Sequence, residues 1–175
     1  MAKGDPIGAD EAVVRAYRYP YWDATVNRGT PSAFTEAEVS VSRLAILDFE
    51  RIVAIFRTDF DGRVHRDGSS MQLRGIGRAL VSDIVRQAEQ PTDPKSKEPP
   101  NLVLTVSEDK IENEPGITDN PAHALINGWE RANPTRARRI PKSVAMRLLD
   151  LFGAAAFPHD EQCNEVAADG DAAPG

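Results

Sequence analysis

Basic side chains concentrate in one stretch of the sequence, after position 130. The six basic residues of this stretch are Arg131, Arg136, Arg138, Arg139, Lys142 and Arg147. Three of these arginines lie just before a predicted helix, whose N-terminal end adds partial positive charge and free backbone N–H groups. We therefore predict that Arg136, Arg138, Arg139 and Lys142 bind a small anion or an acidic protein partner. The alternative is a solvated face that the acidic loop residues 108–114 balance.

The histidines are a second group of candidate functional residues. His123 follows Asn120-Pro121-Ala122 at the edge of a predicted strand, and loop residues held by strands often carry function. His123 is therefore a candidate catalytic residue. In the alternative interpretation, the Asn120 side chain caps the turn and His123 bonds a backbone carbonyl. His65 and His159 have no neighbours at metal-ligand spacing, and the sequence predicts no metal site.

Common catalytic and nucleotide-binding motifs are missing from the sequence. There is no Gly-rich loop ending in Lys-Ser or Lys-Thr and no Gly-x-Ser-x-Gly element. The segment 74–78 resembles half of a dinucleotide fingerprint but lacks its third glycine. The sequence therefore does not identify a cofactor.

Acidic residues are unevenly distributed along the chain. The formal net charge is −6, and the segment 158–175 contributes −5 of it, with five acidic residues and neither Lys nor Arg. The remaining residues, 1–157, hold 21 basic and 22 acidic side chains, a net charge of −1. This balance does not favour a nucleic-acid partner, and only Trp129 accompanies the basic stretch as an aromatic residue.

Cysteine content and hydropathy indicate a cytoplasmic protein. The single cysteine, Cys163, permits no intramolecular disulfide. Residues 1–11 contain no apolar signal-peptide region, and no apolar stretch approaches the roughly 18–20 residues of a membrane span. We therefore predict neither secretion nor membrane insertion.

The periodicity of the first half predicts strands followed by two helices. Alternating side chains indicate a strand over 12–19 and one or two short strands over 32–41. A helical stripe covers 43–58, with Ser42 as its N-cap, and a second covers 76–89.

The second half predicts two more strands and a third helix. Residues 102–106 indicate a strand buried on both faces, and 121–126 indicate a short strand that ends at an Asn127-Gly128 turn. A helix begins near Pro141. Because strands and helices do not alternate regularly, we predict an α+β fold with roughly four to six strands and three helices.

The domain organisation follows from these elements. Residues 11–157 form one predicted globular domain, in which the Pro-rich segment 90–100 is a surface loop. The segments 1–10 and 158–175 are predicted to be disordered, because they offer little apolar surface to offset the cost of ordering.

Two resemblances can be drawn from short segments. Arg18 on a first predicted strand, Ser32-Ala33-Phe34 on a second and Ser40-Val41-Ser42 at a helix start resemble the order found in ADP-ribosyltransferase-like folds. This resemblance implies that Arg18 and Ser32 hold NAD. The strand that would carry the catalytic glutamate of such folds reads His123-Ala124-Leu125-Ile126 instead. Separately, the segments 31–42 and 120–124 resemble small uncharacterised bacterial proteins, which assigns no residue a role.

Two hypotheses for function follow. The first is a binding module that recognises a protein or a small anionic ligand through the basic stretch. The second is a nucleotide-processing enzyme of ADP-ribosyltransferase type, in which Arg18 and Ser32 hold the cofactor and His123 lies nearby. The enzyme requires these groups to converge in one concave pocket.

Overall fold

An antiparallel six-stranded sheet forms the centre of the computed structural model, which describes residues 4–92, 95 and 98–153. The strands are β1 (Ala12–Tyr17), β2 (Trp22–Asp23), β3 (Arg28–Gly29), β4 (Glu38–Arg43), β5 (Gly75–Leu80), β6 (Val103–Glu108), β7 (His123–Glu130) and β8 (Asn133–Ala137). The helices are α1 (Phe49–Phe60), α2 (Val81–Arg86) and α3 (Lys142–Phe152). The sheet order is β5-β1-β4-β7-β6, with β8 also paired to β7, and β2 pairs with β3. The predicted α+β class is confirmed.

The two faces of the sheet carry different layers. Val13 and Tyr17 of β1 face α2, α3 and the 3-10 turn Pro31–Phe34, where the larger part of the core lies. Val14 and Ala16 alternate with them and face α1. The alternation follows from the strand period of two. It places α1 over the β5–β1 side of the sheet, where Ile76 joins its apolar face.

The first predicted helix begins later than the sequence pattern indicates. Helix α1 starts at Phe49, after Asp48, whose side chain accepts a hydrogen bond from the Arg51 N–H at 2.8 Å. The predicted N-cap, Ser42, lies within β4 and is fully buried. The spacing of the apolar residues therefore predicts a helix correctly but places its first residue too early.

The helix predicted over 76–89 is wrong in its first half. Residues Gly75–Leu80 form β5, which pairs with all of β1, and only Val81–Arg86 are α-helical. Spacings of four residues fit a strand as well as a helix, because four is a multiple of two. The consequence is that Leu80, which a helical stripe over 76–89 would place in the core, is 41% exposed.

Two predictions around β6 and β7 also need correction. Leu104 and Val106 of β6 face the core, while Val103 and Thr105 are only partly covered, so β6 is not buried on both faces. Asn127 and Gly128 lie inside β7 rather than in a turn. The Asn127 amide donates to Ser107 Oγ at 3.0 Å, and Gly128 packs so closely against the Arg138 carbonyl that a side chain has no room.

A buried ion triad joins the ends of three strands. Arg43 of β4 forms a bidentate pair with Glu11, at 2.6 and 2.9 Å, and also contacts the Glu108 carboxylate. The Glu11 carboxylate holds the pKa of the Arg43 guanidinium above its usual value. Because the Arg43 side chain is only 12% exposed, the two carboxylates compensate for the loss of water around its positive charge.

The first described residues contact the edge of the sheet, which differs from the expected disorder of segment 1–10. Ile7 N–H donates to the Val106 carbonyl at 3.0 Å, and Glu108 N–H donates to the Asp5 carbonyl at 2.9 Å. Ile7 is also part of the core. The segment 158–175, predicted to be a disordered acidic tail, lies outside the described residues.

The described ranges contain neither a group of three metal-ligating side chains nor a membrane-spanning helix. No three His, Cys, Asp or Glu residues there are placed to hold a metal ion. No helix within these ranges has the length and apolar character needed to cross a bilayer.

We expect Leu104→Ala to lower the free energy of unfolding by about 2–5 kcal/mol, because a cavity would replace a fully buried side chain. Leu80→Ala should lower it by less than Leu104→Ala does, by about 1 kcal/mol, since Leu80 is 41% exposed. Chemical denaturation of both variants measures the difference. Equal losses would contradict the assignment of Gly75–Leu80 to an edge strand.

Candidate functional site

A cavity lies where β1 and β4 separate. The two strands pair only at Val13 with Arg43 and Val14 with Ser42, and then diverge. The space that opens beside α1 has a volume of about 190 Å³. Its lining residues are Arg15, Ala16, Arg18, Tyr21, Ser40, Val41, Ile55, Phe56, Asp59, Phe60, Ile111, Ile117, Asn120 and His123.

Arg15 spans the gap between the two strands. Its Nη1 donates to the Ser40 carbonyl at 2.7 Å and its Nη2 to the Ala33 carbonyl at 3.2 Å. Its Nε is buried and makes no hydrogen bond within the described structure. Burial lowers the pKa of the Arg15 guanidinium to about 10, so the group remains charged at neutral pH. A cation thus lies at the cavity in a partly desolvated position.

Arg18 supplies a second cation on the same wall. Its guanidinium lies 4.8 Å from the centre of the Phe60 ring and 5.8 Å from that of Tyr21. Its Nη1 donates to the Tyr19 carbonyl at 2.9 Å. Burial lowers the pKa of Arg18 as well. The Tyr21 ring also lies 5.7 Å from the Arg15 guanidinium, so one aromatic side chain contacts both cations.

The charges that line the cavity do not cancel. Arg15 and Arg18 contribute two positive charges and Asp59 one negative charge, a net of +1 with His123 neutral. Within the described part of the chain, neither arginine forms an ion pair with a carboxylate. Asp59 is engaged elsewhere, because its Oδ1 accepts hydrogen bonds from Thr118 N–H at 3.0 Å and Thr118 Oγ1 at 2.7 Å.

Apolar side chains form the remainder of the cavity wall. Phe56 and Phe60, one turn apart on α1, stack with ring centres 5.9 Å apart. Ile55 adds to this wall from the same helix, while Ile111 and Ile117 reach it from the loop 109–120. The cavity therefore combines a cationic wall with apolar surfaces about the size of a ring.

The loop 109–120 is attached to α1 and to the turn that follows it. Besides the Asp59–Thr118 bonds, Arg63 Nη2 donates to the Gly116 carbonyl at 2.8 Å. Within the loop, Ile111 and Asn120 form a backbone bridge with N···O distances of 3.2 and 2.9 Å. These contacts hold the loop against one side of the cavity.

Both parts of the structural interpretation of Asn120 and His123 are confirmed. Asn120 Oδ1 accepts from the Ala122 N–H at 3.1 Å, and its Nδ2 donates to Ser42 Oγ at 3.1 Å. His123 Nδ1 lies 2.7 Å from the Asp109 carbonyl oxygen. His123 nevertheless lines the cavity as well, so its structural role leaves a part of the ring available there.

Of the three candidates for NAD binding or catalysis, the structure brings two together. Arg18 and His123 line the same cavity, whereas Ser32 does not. Ser32 lies in the 3-10 turn Pro31–Phe34, where a strand was predicted, and its exposed hydroxyl contacts Thr30 Oγ1 at 2.6 Å. The prediction of a strand serine is therefore wrong.

The four predicted anion-binding residues are exposed and lie outside the cavity. Arg136, Arg138 and Arg139 line a shallow depression beside Glu130, while Lys142 is the first residue of α3. Arg136 lies 3.4 Å from Glu130 and Arg139 lies 2.7 Å from Glu36. The carboxylates that balance this surface are thus not those of the loop 108–114. Binding of an anion there stays a prediction.

Several cavity residues were not identified from the sequence. Arg15 offered a signal, since it interrupts the apolar run Ala12–Tyr17, where a charged side chain is unusual. Tyr21 and Asp59 offered none, because their position in the cavity wall depends on how the loop after β1 and the end of α1 pack.

A smaller polar cluster lies on the surface near Arg18. The Tyr19 hydroxyl donates to the Asp67 carboxylate, and His65 packs edge-on against the Tyr19 ring, with ring centres 5.2 Å apart. The Tyr19 bond holds the pKa of Asp67 well below its ordinary value and raises the pKa of Tyr19. Asp67 also accepts from Ser69 N–H at 3.0 Å, so the cluster closes the turn 65–69.

No protein-family model matches this chain, and neither a curated protein nor a solved structure is significantly similar to it.

Proposed function

We propose that this protein is a non-enzymatic binding module for a small organic anion, which occupies the cavity between β1, β4 and α1. The observation that carries the proposal is the pair of guanidinium groups, Arg15 and Arg18, that line one cavity without a carboxylate partner in the described structure. Buried charges in proteins are generally paired or hydrogen-bonded, because desolvation is costly.

The electrostatics favour a ligand with one negative charge. The cavity lining has a net charge of +1, which a monoanion neutralises. An anion beside Arg15 and Arg18 would offset the desolvation that lowers both of their pKa values. Arg18 is the better direct donor, since it bonds only the Tyr19 carbonyl, whereas Arg15 is already committed to two carbonyls.

The volume and the apolar walls favour a ligand with about one ring. A cavity of about 190 Å³ lies below the roughly 300–1,000 Å³ of pockets for drug-sized ligands. It is close to the roughly 150 Å³ that is enough for benzene in an engineered cavity. Phe56 and Phe60 present ring surfaces to such a ligand. The site fits a carboxylate on a compact apolar body.

The surface of Arg136, Arg138, Arg139 and Lys142 supports the same class of function less well. Two of its arginines already contact Glu130 and Glu36. Its side chains are exposed, so any attraction is screened within roughly 8–10 Å at physiological salt. A protein partner with an acidic segment remains a proposal for this surface, independent of the cavity.

An NAD-using enzyme of ADP-ribosyltransferase type is the second candidate. It is favoured by one observation, the meeting of Arg18 and His123 in the cavity. The volume has room for the nicotinamide ring but not for a whole dinucleotide, and Ser32 lies outside. A thermal shift with NAD that is larger than the shift with benzoate would favour the enzyme.

We expect benzoate to raise the melting temperature, whereas benzamide, its uncharged isostere, has little effect. At one hundred times its dissociation constant, a ligand of the native state adds about 2.7 kcal/mol. For a chain of this size that corresponds to roughly 5–10 °C. A thermal-shift titration with benzoate, cyclohexanecarboxylate, benzamide and inorganic phosphate measures the effect.

Two outcomes would count against the monoanion proposal. Equal shifts with benzoate and benzamide would show that charge plays no part. A shift with phosphate alone would indicate the exposed basic surface, and Arg138→Gln should then remove it. Arg138 lines that surface and not the cavity, which makes this variant the matched control for Arg18→Gln.

A further inference from the structure

The hydrogen bonding of His123 determines which of its ring nitrogens carries the proton when the ring is neutral. Nδ1 lies 2.7 Å from the Asp109 carbonyl oxygen. A carbonyl oxygen only accepts hydrogen bonds, so Nδ1 must be the donor. The neutral ring therefore has a proton on Nδ1 and a lone pair on Nε2.

Asp109 strengthens this arrangement in two further ways. Its carboxylate Oδ2 lies 3.2 Å from the same Nδ1, which favours the proton there. Its backbone N–H donates to the His123 carbonyl at 3.1 Å, so the two residues are held in register where β6 ends and β7 begins. The ring orientation is thus fixed by β-sheet pairing and not by the side chain alone.

Nε2 is the ring nitrogen left for the cavity. His123 lines the cavity and its side chain is only 11% exposed. In the described ranges no residue donates a hydrogen bond to Nε2. The buried side-chain atoms that lack a partner in the described residues do not include Nε2, so this acceptor is open to solvent. A donor on the ligand can replace the water that bonds Nε2 there.

Building on the proposed function, we propose that the ligand carries a hydroxyl or amino donor in addition to its carboxylate. The carboxylate faces Arg15 and Arg18, the apolar body lies against Phe56 and Phe60, and the donor bonds His123 Nε2. The ligand class is then a hydroxylated or aminated single-ring carboxylic acid, and His123 determines specificity within it.

The test compares donors with acceptors on one scaffold. Isothermal titration calorimetry of the full chain measures affinities for benzoate and for its 3- and 4-hydroxy, 3- and 4-amino, and 3- and 4-methoxy derivatives. We expect at least one hydroxy and one amino isomer to bind about two- to tenfold more tightly than benzoate. The methoxy compounds should show no gain, because a methoxy oxygen cannot donate to Nε2.

A pair of variants assigns the gain to Nε2. Asparagine places its amide nitrogen near the Nδ1 position, so His123→Asn keeps a donor for Asp109 and removes the acceptor. We expect this variant to lose the preference for the hydroxy and amino compounds over benzoate, measured as the ratio of the two affinities within the variant. His123→Gln keeps a polar group nearer Nε2 and should retain part of the preference.

The outcomes separate the two proposals. Benzoate binding with no gain from any donor, or a gain that persists in His123→Asn, would overturn the role of His123 and leave the anion site intact. No binding of any acid would overturn both proposals. If neither variant folds, the comparison of hydroxy with methoxy compounds on the wild type still tests whether a donor on the ligand raises affinity.

Discussion

Replacing Arg43 by Met is expected to lower the free energy of unfolding by about 3–5 kcal/mol, the usual cost of removing one partner of a buried ion pair. The Glu11 and Glu108 side chains are 13% and 29% exposed, so Glu11 would remain partly buried without a cation, and Glu108 would keep only Lys110, at 3.8 Å. The loss would also release three strand ends that the guanidinium now joins. Urea denaturation monitored by circular dichroism measures the change.

Arg51→Met is the matched control for Arg43→Met. Arg51 also pairs with a carboxylate, that of Asp48 at 3.5 Å, but the two side chains are 75% and 62% exposed. Exposed pairs of this kind contribute about 0–1 kcal/mol. Similar losses for both variants would show that burial of the Arg43 triad does not determine its contribution.

Arg18→Gln is expected to weaken benzoate binding by about ten- to a hundredfold. Hydrogen bonds to charged groups contribute about 1.5–3 kcal/mol, and each 1.4 kcal/mol corresponds to a factor of ten. The free energy of unfolding should change little, since Arg18 bonds only the neighbouring Tyr19 carbonyl and otherwise lies over aromatic rings. Calorimetric titration and chemical denaturation measure the two quantities separately.

Two comparisons make this prediction specific to the cavity. Arg138→Gln should leave benzoate affinity unchanged, because Arg138 lies on the exposed basic surface. Arg15→Gln should weaken both binding and folding, because Arg15 also bridges to the Ser40 and Ala33 carbonyls. Unchanged affinity in Arg18→Gln would refute a direct contact between Arg18 and the ligand.

Elements could be predicted from the sequence where one local pattern fits. Alternation identified β1 and β4, and a short apolar run identified β6, each to within a few residues. The helix predicted over 76–89 was wrong in its first half because the spacing of Ile76 and Leu80 fits either period. Residues 75–80 form a strand because they pair with β1. The sequence of 76–89 alone does not show this pairing.

The cavity could be predicted only in part. Arg18 was identified through the resemblance to ADP-ribosyltransferase-like folds and His123 through its position at the edge of a predicted strand, and the structure places both in one cavity. Its shape could not be predicted, since it results from the separation of β1 and β4 after two residue pairs. The basic stretch is conspicuous in the sequence because its charges are numerous. The two arginines that share the cavity lie in and just after β1, and the sequence does not show that they share one cavity.

The separation of β1 and β4 also bears on how cooperatively the sheet behaves. Strands β5 and β1 pair over six residues and β6 and β7 over another six, but only two residue pairs connect β1 to β4. Subglobal opening in proteins follows such weakly connected boundaries. The boundary runs beside the cavity, where Arg15 reaches from one side to the Ser40 carbonyl on the other. A ligand held there would contact both β1 on one side of the boundary and β4 on the other. Its binding free energy would therefore oppose separation of the two parts of the sheet, so that they open together and not one at a time.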